Sequence, residues 1–396
     1  MQIKRSFLPS ALAIGILFVA FNLRAPITGI GPIIHILKDY FNLSGGTGGL
    51  LTTLPLLAFA AVSPFVAQFS KKYGYGMVMF AGLILLLVGE LIRSYTGIAG
   101  LFAGTLLLGV GIGIGNVLLP SIIKKEFVLH TGLMLGLYTL SLNIFASISA
   151  GASAPLTERM GWRNSLAVWI PLALITLFIW LPQVFKRNHS ASEPEKVILV
   201  NDKGLSIWKS MLAWWVTLYM GIQSFIFYGL TAWLPSVMIS KGLSAEAAGN
   251  MTFLFQIAGL PTSLIIPSIA YKCKGQQTLT IINGLILISG LIFLIVSSSL
   301  WHYILAVTLV GLACGANLSL AISFISLRVS TSRKATELSG MSQSVGYILA
   351  AISPVLMGVV HDWTLNWAFA LGILVIASGM LWLIGFKAAG DVVIKS

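Results

Sequence analysis

Apolar positions in this chain come in long unbroken runs, with polar positions gathered in short clusters between them. Each run is about 20 residues long, enough for a helix to cross the roughly 30 Å hydrocarbon core of a bilayer. The pattern predicts twelve spans, near residues 8–36, 47–69, 77–96, 99–122, 132–156, 164–184, 211–237, 245–270, 278–298, 302–326, 338–360 and 365–386. The first run is too long, and continues too directly into the repeat, to read as a cleaved signal peptide. One segment breaks the rhythm. Residues 185–210, containing Lys186-Arg187-Asn188-His189 and Ser192-Glu193-Pro194-Glu195-Lys196, are polar and mixed in charge, as suits a surface linker. They separate six spans in residues 1–184 from six in residues 211–396.

Composition agrees with that pattern: 57% of residues are hydrophobic and 9% charged, against about 25% charged in a soluble domain. The net charge of +13 invites a nucleic-acid partner, but the placement of the cations argues against one. With both termini in the cytoplasm, the cytoplasmic segments hold most Lys and Arg, among them Lys4, Arg5, Lys71, Lys72, Lys124, Lys125, Lys186, Arg187, Lys272, Lys274, Arg333 and Lys334. The outer loops hold Lys38, Arg93, Arg159, Arg163 and Lys241. This is the positive-inside asymmetry of a multi-pass protein of the inner, cytoplasmic membrane. Cys273 and Cys314 imply no disulfide framework, and no Cys/His spacing suggests a metal or cofactor. A membrane enzyme would need clustered Asp, Glu or His at one face, whereas the clusters here are basic, and a receptor would need a signalling domain.

The two halves resemble each other. Leu43-Ser44-Gly45 precedes span 2 as Leu243-Ser244-Ala245 precedes span 8, and Pro32 and Pro64 recur 203 residues later as Pro235 and Pro267. Lys71-Lys72 after span 2 matches Lys272 and Lys274 after span 8, and Trp162 near the start of span 6 echoes Trp367 in span 12. Two parallel six-span repeats describe major-facilitator secondary transporters. The expected fold is all-α and integral to the membrane, with 12 helices in two parallel six-helix bundles.

Particular strings narrow this further. Asn22-Leu23-Arg24-Ala25-Pro26, Leu51-Thr52-Thr53-Leu54-Pro55-Leu56, and Gly113-Ile114-Gly115-Asn116-Val117-Leu118-Leu119-Pro120 together resemble the cyanate and 2-nitroimidazole transporter family of the major facilitator superfamily. Lys124-Lys125-Glu126-Phe127 and Thr231-Ala232-Trp233-Leu234-Pro235 strengthen the resemblance, which covers essentially the whole chain. It implies a secondary transporter for small anionic or nitro-bearing solutes such as cyanate, nitrite or nitroimidazoles. The alternative is a proton-coupled exporter of small drugs. Against that alternative, span 4 carries Thr105 where such exporters carry Arg, and span 5 (Gly136-Leu137-Tyr138-Thr139) lacks their Gly-Pro signature. The span 2–3 loop, Lys71-Lys72-Tyr73-Gly74, has a basic residue in place of the superfamily's usual acid.

Arg24 is the candidate solute-binding cation. It lies midway along the first span with no acidic neighbour on its helix, and a guanidinium cannot deprotonate to escape burial. Arg24, Thr28, Gly31 and His35 share one helical face. Mid-span amides and hydroxyls supply further candidates: Asn22, Asn116, Tyr138, Asn143, Gln223, Tyr228, Gln256, Asn317, Gln343 and Tyr347. For each, the competing reading is an interhelical hydrogen bond. Glu90 and His35 are the candidates for carrying a coupling proton; the competing reading makes Glu90 the i+3 partner of Arg93 and His35 a solvated helix end. At the 203-residue offset Arg24 falls opposite Phe227, so a central site would have one cationic and one aromatic wall. The expected partners are a small-molecule solute, protons and the lipid bilayer, with the protein acting as a monomer.

Overall fold

In the computed structural model, residues 11–43, 45–185 and 206–394 are described; they contain helices and no strand. The linker segment 186–205 lies outside the described residues. The helices are α1 (Ala11–Asn22), α2 (Ala25–Thr28), α3 (Ile30–Phe41), α4 (Gly45–Tyr73), α5 (Tyr75–Tyr95), α6 (Gly97–Glu126), α7 (Thr131–Ala167), α8 (Ile170–Phe185), α9 (Met211–Ser240), α10 (Ala245–Ala270), α11 (Gln277–Val296), α12 (Leu300–Leu327), α13 (Ser332–Thr364) and α14 (Trp367–Ala388).

Among the described residues, eleven apolar tracts are long enough to cross a membrane, and one of them, Val128–Phe185, runs for 58 residues. At about 1.5 Å per residue a straight helix of that length would far exceed a bilayer. The chain turns back at Gly161, whose φ of 79° is left-handed and costs an L side chain more than glycine. The Ser165 hydroxyl then donates to the Ser153 carbonyl at 3.0 Å, a contact that a continuous helix would hold about 18 Å apart. This tract therefore holds two crossings, predicted near 132–156 and 164–184. The first span differs from the expected continuous helix. It is split into α1, α2 and α3 by breaks at Leu23-Arg24 and at Gly29.

Small residues set the closest helix contacts, as is usual where lipid removes any hydrophobic preference for one apolar neighbour over another. Along the α5–α6 hairpin, a Cβ on Gly89 would lie 2.5 Å from the Leu108 amide nitrogen and 2.8 Å from the Gly104 carbonyl. The backbones touch there. Between the two sequence halves, α4 packs on α13 and α7 on α10. Ser344 donates to the Ala60 carbonyl at 2.8 Å and Thr139 to the Ser263 carbonyl at 2.6 Å. The glycine-rich α6 and α12 are the most enclosed of the long helices. At the end bearing Lys71 and Lys124, Lys124 Nζ donates to the carbonyls of Ser326, in the last turn of α12, and of Val329, just beyond it, joining the halves.

Candidate functional site

Breaking the first span places Arg24 at its centre. Arg24 is the N-cap of α2, outside helical geometry (φ −122°, ψ −39°), with Pro26 in the first turn; proline lacks an amide proton where a starting helix has no acceptor for one. The Arg24 carbonyl accepts from the Thr28 amide and hydroxyl, both at 3.1 Å. Neighbouring helices hold the turn from outside. Ser149 on α7 donates to the Ala25 carbonyl at 2.6 Å, Thr28 donates to the Ala146 carbonyl at 3.1 Å, and Arg93 on α5 donates to the Pro26 carbonyl at 2.5 Å.

The Arg24 side chain is buried and points across to the other half of the chain. Its Nη1 donates to the Tyr228 hydroxyl at 3.0 Å, and its guanidinium carbon lies 5.3 Å from the Phe227 ring centroid and 5.6 Å from that of Tyr228. Both are cation–π distances. Arg24 and Phe227, paired by the sequence repeat, thus touch. Tyr138 and Tyr347 lie within electrostatic range of the guanidinium. Among the described residues no carboxylate is within ion-pairing distance of it. A buried cation is being held by neutral groups alone.

Around it the aromatic wall continues. The Tyr347 ring meets Phe59 at 4.8 Å and Tyr228 at 6.3 Å, while Phe227 meets Phe255 at 5.8 Å. Asn116 Nδ2 lies 3.5 Å from the Tyr347 hydroxyl, at the limit of hydrogen bonding. Beside Phe227 a small cavity is lined by Asn143, Phe255, Gln256, Cys314 and Leu318. The Asn143 amide donates to Ser263. Gln256 Nε2 and Gln343 Oε1 are buried without a hydrogen-bond partner.

Arg24, Asn116, Tyr138, Tyr228 and Tyr347 thus form one cluster, with Asn143 and Gln256 on the adjoining cavity. Other candidates are directed elsewhere. Asn22 donates to the Phe18 carbonyl and to Thr176 on α8, both at 2.8 Å. Gln223 is used within α9, on Ser224 at 2.7 Å and on the Met220 sulfur. Asn317 accepts from Tyr219 at 2.7 Å and from Asn283 at 2.6 Å, tying α12 to α9 and α11. Thr28 fastens α2 to α7. The helical register that gathers polar side chains on one face does not choose among several neighbouring helices. His35 lies in α3, and its side chain is outside what the structure describes. Glu90 is fully buried, and its oxygens accept no hydrogen bond from Arg93, which reaches Pro26 instead.

Phe59, Phe255 and Ser149 are not among the sequence candidates, and Arg93 enters there only as the partner of Glu90. The aromatic pair carried no polar signal, and the other two act on backbone carbonyls that the sequence does not show as free.

Comparison with known proteins agrees with this architecture. The family model for the Major Facilitator Superfamily matches residues 12–354. An uncharacterized transporter of Bacillus subtilis is 41% identical over 384 residues, covering 96% of this chain and 92% of that protein. The 2-nitroimidazole transporter of Escherichia coli is 37% identical over 381 residues (96% and 95%), and the cyanate transport protein of the same species 25% over 368 residues (89% and 92%). Among solved structures, the proton:xylose symporter XylE superimposes with a TM-score of 0.77 over 97% of each chain at 14% identity, a likeness of fold. The chain belongs to the major facilitator superfamily, in the branch that includes the cyanate and 2-nitroimidazole transporters.

Proposed function

We propose that this protein is a secondary transporter that moves a small, flat, anionic or nitro-bearing solute across the cytoplasmic membrane by alternating access. Residues 1–184 and 211–396 act as the two rocking bundles, with the basic end and both termini in the cytoplasm. One observation carries the reading: Arg24 is buried between the halves, has no carboxylate partner among the described residues, and faces Tyr228 and Phe227. A guanidinium offers paired donors to a carboxylate, nitro or cyanate group, and the rings offer stacking faces to a planar body. Nothing in such a site favours a bulky polyhydroxyl solute.

Access follows from the packing. At the basic end α7 and α10 meet closely, a Cβ on Gly136 falling 2.6 Å from the Leu264 carbonyl, and Lys124 bridges α6 to α12. On the opposite side of Arg24, Gly31 is exposed with no atom within 4 Å of where its Cβ would stand. This contrast supports solute entry from the side away from the basic end. The exporter alternative gains no support at Thr105, whose hydroxyl is bound to the Leu101 carbonyl at 2.6 Å.

The test is uptake of labelled cyanate, nitrite, 2-nitroimidazole and 4-hydroxybenzoate into proteoliposomes, with and without a pH gradient. Arg24→Ala should abolish transport of whichever solute the wild type carries, and Arg24→Lys should restore part of it. Wild-type rates in Arg24→Ala would remove the basis of the proposal.

A further inference from the structure

A buried acid and a buried base lie behind the Arg24 turn. Glu90 and Arg93 are one turn apart on α5, and neither has exposed surface. The backbone contact between Gly89 and Gly104 seals them against α6, where Thr105 spends its hydroxyl on its own helix. Neither carboxyl oxygen of Glu90 has a hydrogen-bond partner, and neither have Nε and Nη2 of Arg93. Residues at i and i+3 are neighbours on a helix face, and these two carry complementary unfilled groups. Arg93 nonetheless places Nη1 on the Pro26 carbonyl, two residues beyond Arg24. A dry carboxylate without a donor is far costlier than the neutral acid, so the observed arrangement suits a protonated Glu90.

We propose that Glu90 is a proton-binding site and that Arg93, as a positioning residue, reports its protonation state to the Arg24 turn. With Glu90 neutral, Arg93 holds Pro26 and so helps set Arg24 toward Tyr228. When movement of the helices in the transport cycle admits water to Glu90 and the carboxyl releases its proton to it, the ionised Glu90 draws Arg93 into a bidentate pair and Pro26 loses its donor. The turn formed by residues 23–29, already broken at both ends, is then free to shift. Rebinding a proton from water at the other face restores the first arrangement. Proton and solute are linked through one backbone carbonyl.

The surroundings of Glu90 isolate this pair. Helix α8, packed on α5, contains no titratable residue. Helices α4 and α6 carry Lys71, Lys72, Tyr73, Lys124, Lys125 and Glu126 at their basic ends, whereas Glu90 lies near the other end of α5. Helix α7 contributes buried Tyr138 and, beyond Ser153, the exposed Glu158, Arg159 and Arg163. The first span contributes Arg24 and, further along, His35, Lys38, Asp39 and Tyr40, and α5 itself Tyr75 and Tyr95. Among the described residues, Arg93 is the charge that acts on Glu90.

This inference draws on the transport reading for one of its two tests and is independent of it in the other. Infrared difference spectra of the full chain in lipid vesicles should show a protonated-carboxyl C=O band that titrates, that is missing in Glu90→Gln, and whose midpoint moves in Arg93→Gln. In dye-loaded vesicles, 2-nitroimidazole should drive proton entry in the wild type. Glu90→Gln should keep exchange of labelled for unlabelled 2-nitroimidazole and lose accumulation driven by a pH gradient. An unchanged band in Glu90→Gln, or gradient-driven accumulation by that variant, overturns the proposal. If 2-nitroimidazole is not carried, the infrared measurement decides alone; if Arg24→Ala transports normally while the Glu90 band behaves as stated, the solute site is wrong and the proton site stands.

Discussion

The Arg24 guanidinium donates to the Tyr228 hydroxyl at 3.0 Å, joining residues 204 positions apart. Both come from the equivalent first helices of the two repeats, so the bond ties the halves together where a solute would have to separate them. A neutral phenol satisfies one of the five guanidinium N–H donors and leaves the positive charge uncompensated. Under the proposed function, an anionic or nitro-bearing solute supplies that compensation.

Tyr228→Phe isolates the hydroxyl, because the ring and its contacts with Phe227 and Tyr347 remain. A hydrogen bond to a charged group is worth about 1.5–3 kcal/mol, and part of that is regained if the solute takes the vacated donor. The expected result is a KM change of about tenfold or less with little loss of maximal rate. Tyr228→Ala, which also removes the ring, should cost more. Initial-rate uptake in proteoliposomes checks both.

Gly340 controls the approach of α13 to α4, since a Cβ there would lie 2.8 Å from the Ser63 carbonyl oxygen. Gly340→Val should push the basic end open. Cys314 provides the reporter, being buried on the cavity beside Phe227, and Cys273→Ser removes the exposed thiol. Overpacking strain of about 1–3 kcal/mol against the closed state should speed maleimide labelling of Cys314 about tenfold or more. Equal labelling rates would show that Gly340 does not gate access.

Lys124 meets the Ser326 carbonyl in the last turn of α12 and the Val329 carbonyl just beyond it, where a cation also complements the helix dipole. Lys124→Gln should weaken closure of the same end without touching the Arg24 cluster. The expected outcome is faster labelling of Cys314, as for Gly340→Val but smaller, with solute affinity at equilibrium changed by less than about threefold. Labelling and binding measured on the same variant separate gating from recognition.

Gly89 and Gly379 separate packing glycines from incidental ones. A side chain at Gly89 would strike the Leu108 and Gly104 backbone, whereas Gly379 has nothing within 4 Å. Gly89→Val should destabilise the protein by about 3 kcal/mol or prevent its accumulation, as overpacking against rigid backbone does. Gly379→Ala in α14 should be neutral or stabilising by up to about 1 kcal/mol. Melting in detergent distinguishes them.

How far the site was legible depended on the kind of signal. Arg24 stands out because a charge inside a twenty-residue apolar run is costly wherever the helix turns, and the repeat offset alone sets Phe227 opposite it, where the two side chains touch. Asn22 and Asn317 looked equally eligible, yet one amide faces Thr176 and the other Tyr219 and Asn283. Each polar side chain in a packed bundle has several helices within reach, and composition does not rank them. Arg93 was paired with Glu90 by helix spacing, but the break at Arg24 and Gly29 presented it with the Pro26 carbonyl.

By itself the sequence determined that this chain is a twelve-span, twice-repeated helical membrane protein with a basic end and one isolated central cation. Those properties follow from apolar run length, loop charge and the cost of burying a guanidinium, all of which are local or additive along the chain. The tertiary structure decided which groups face Arg24, where the first span breaks, and that Glu90 and Arg93 lie unpaired behind that break. These depend on the rotation and approach of helices packed through glycines, a collective choice that no single segment encodes.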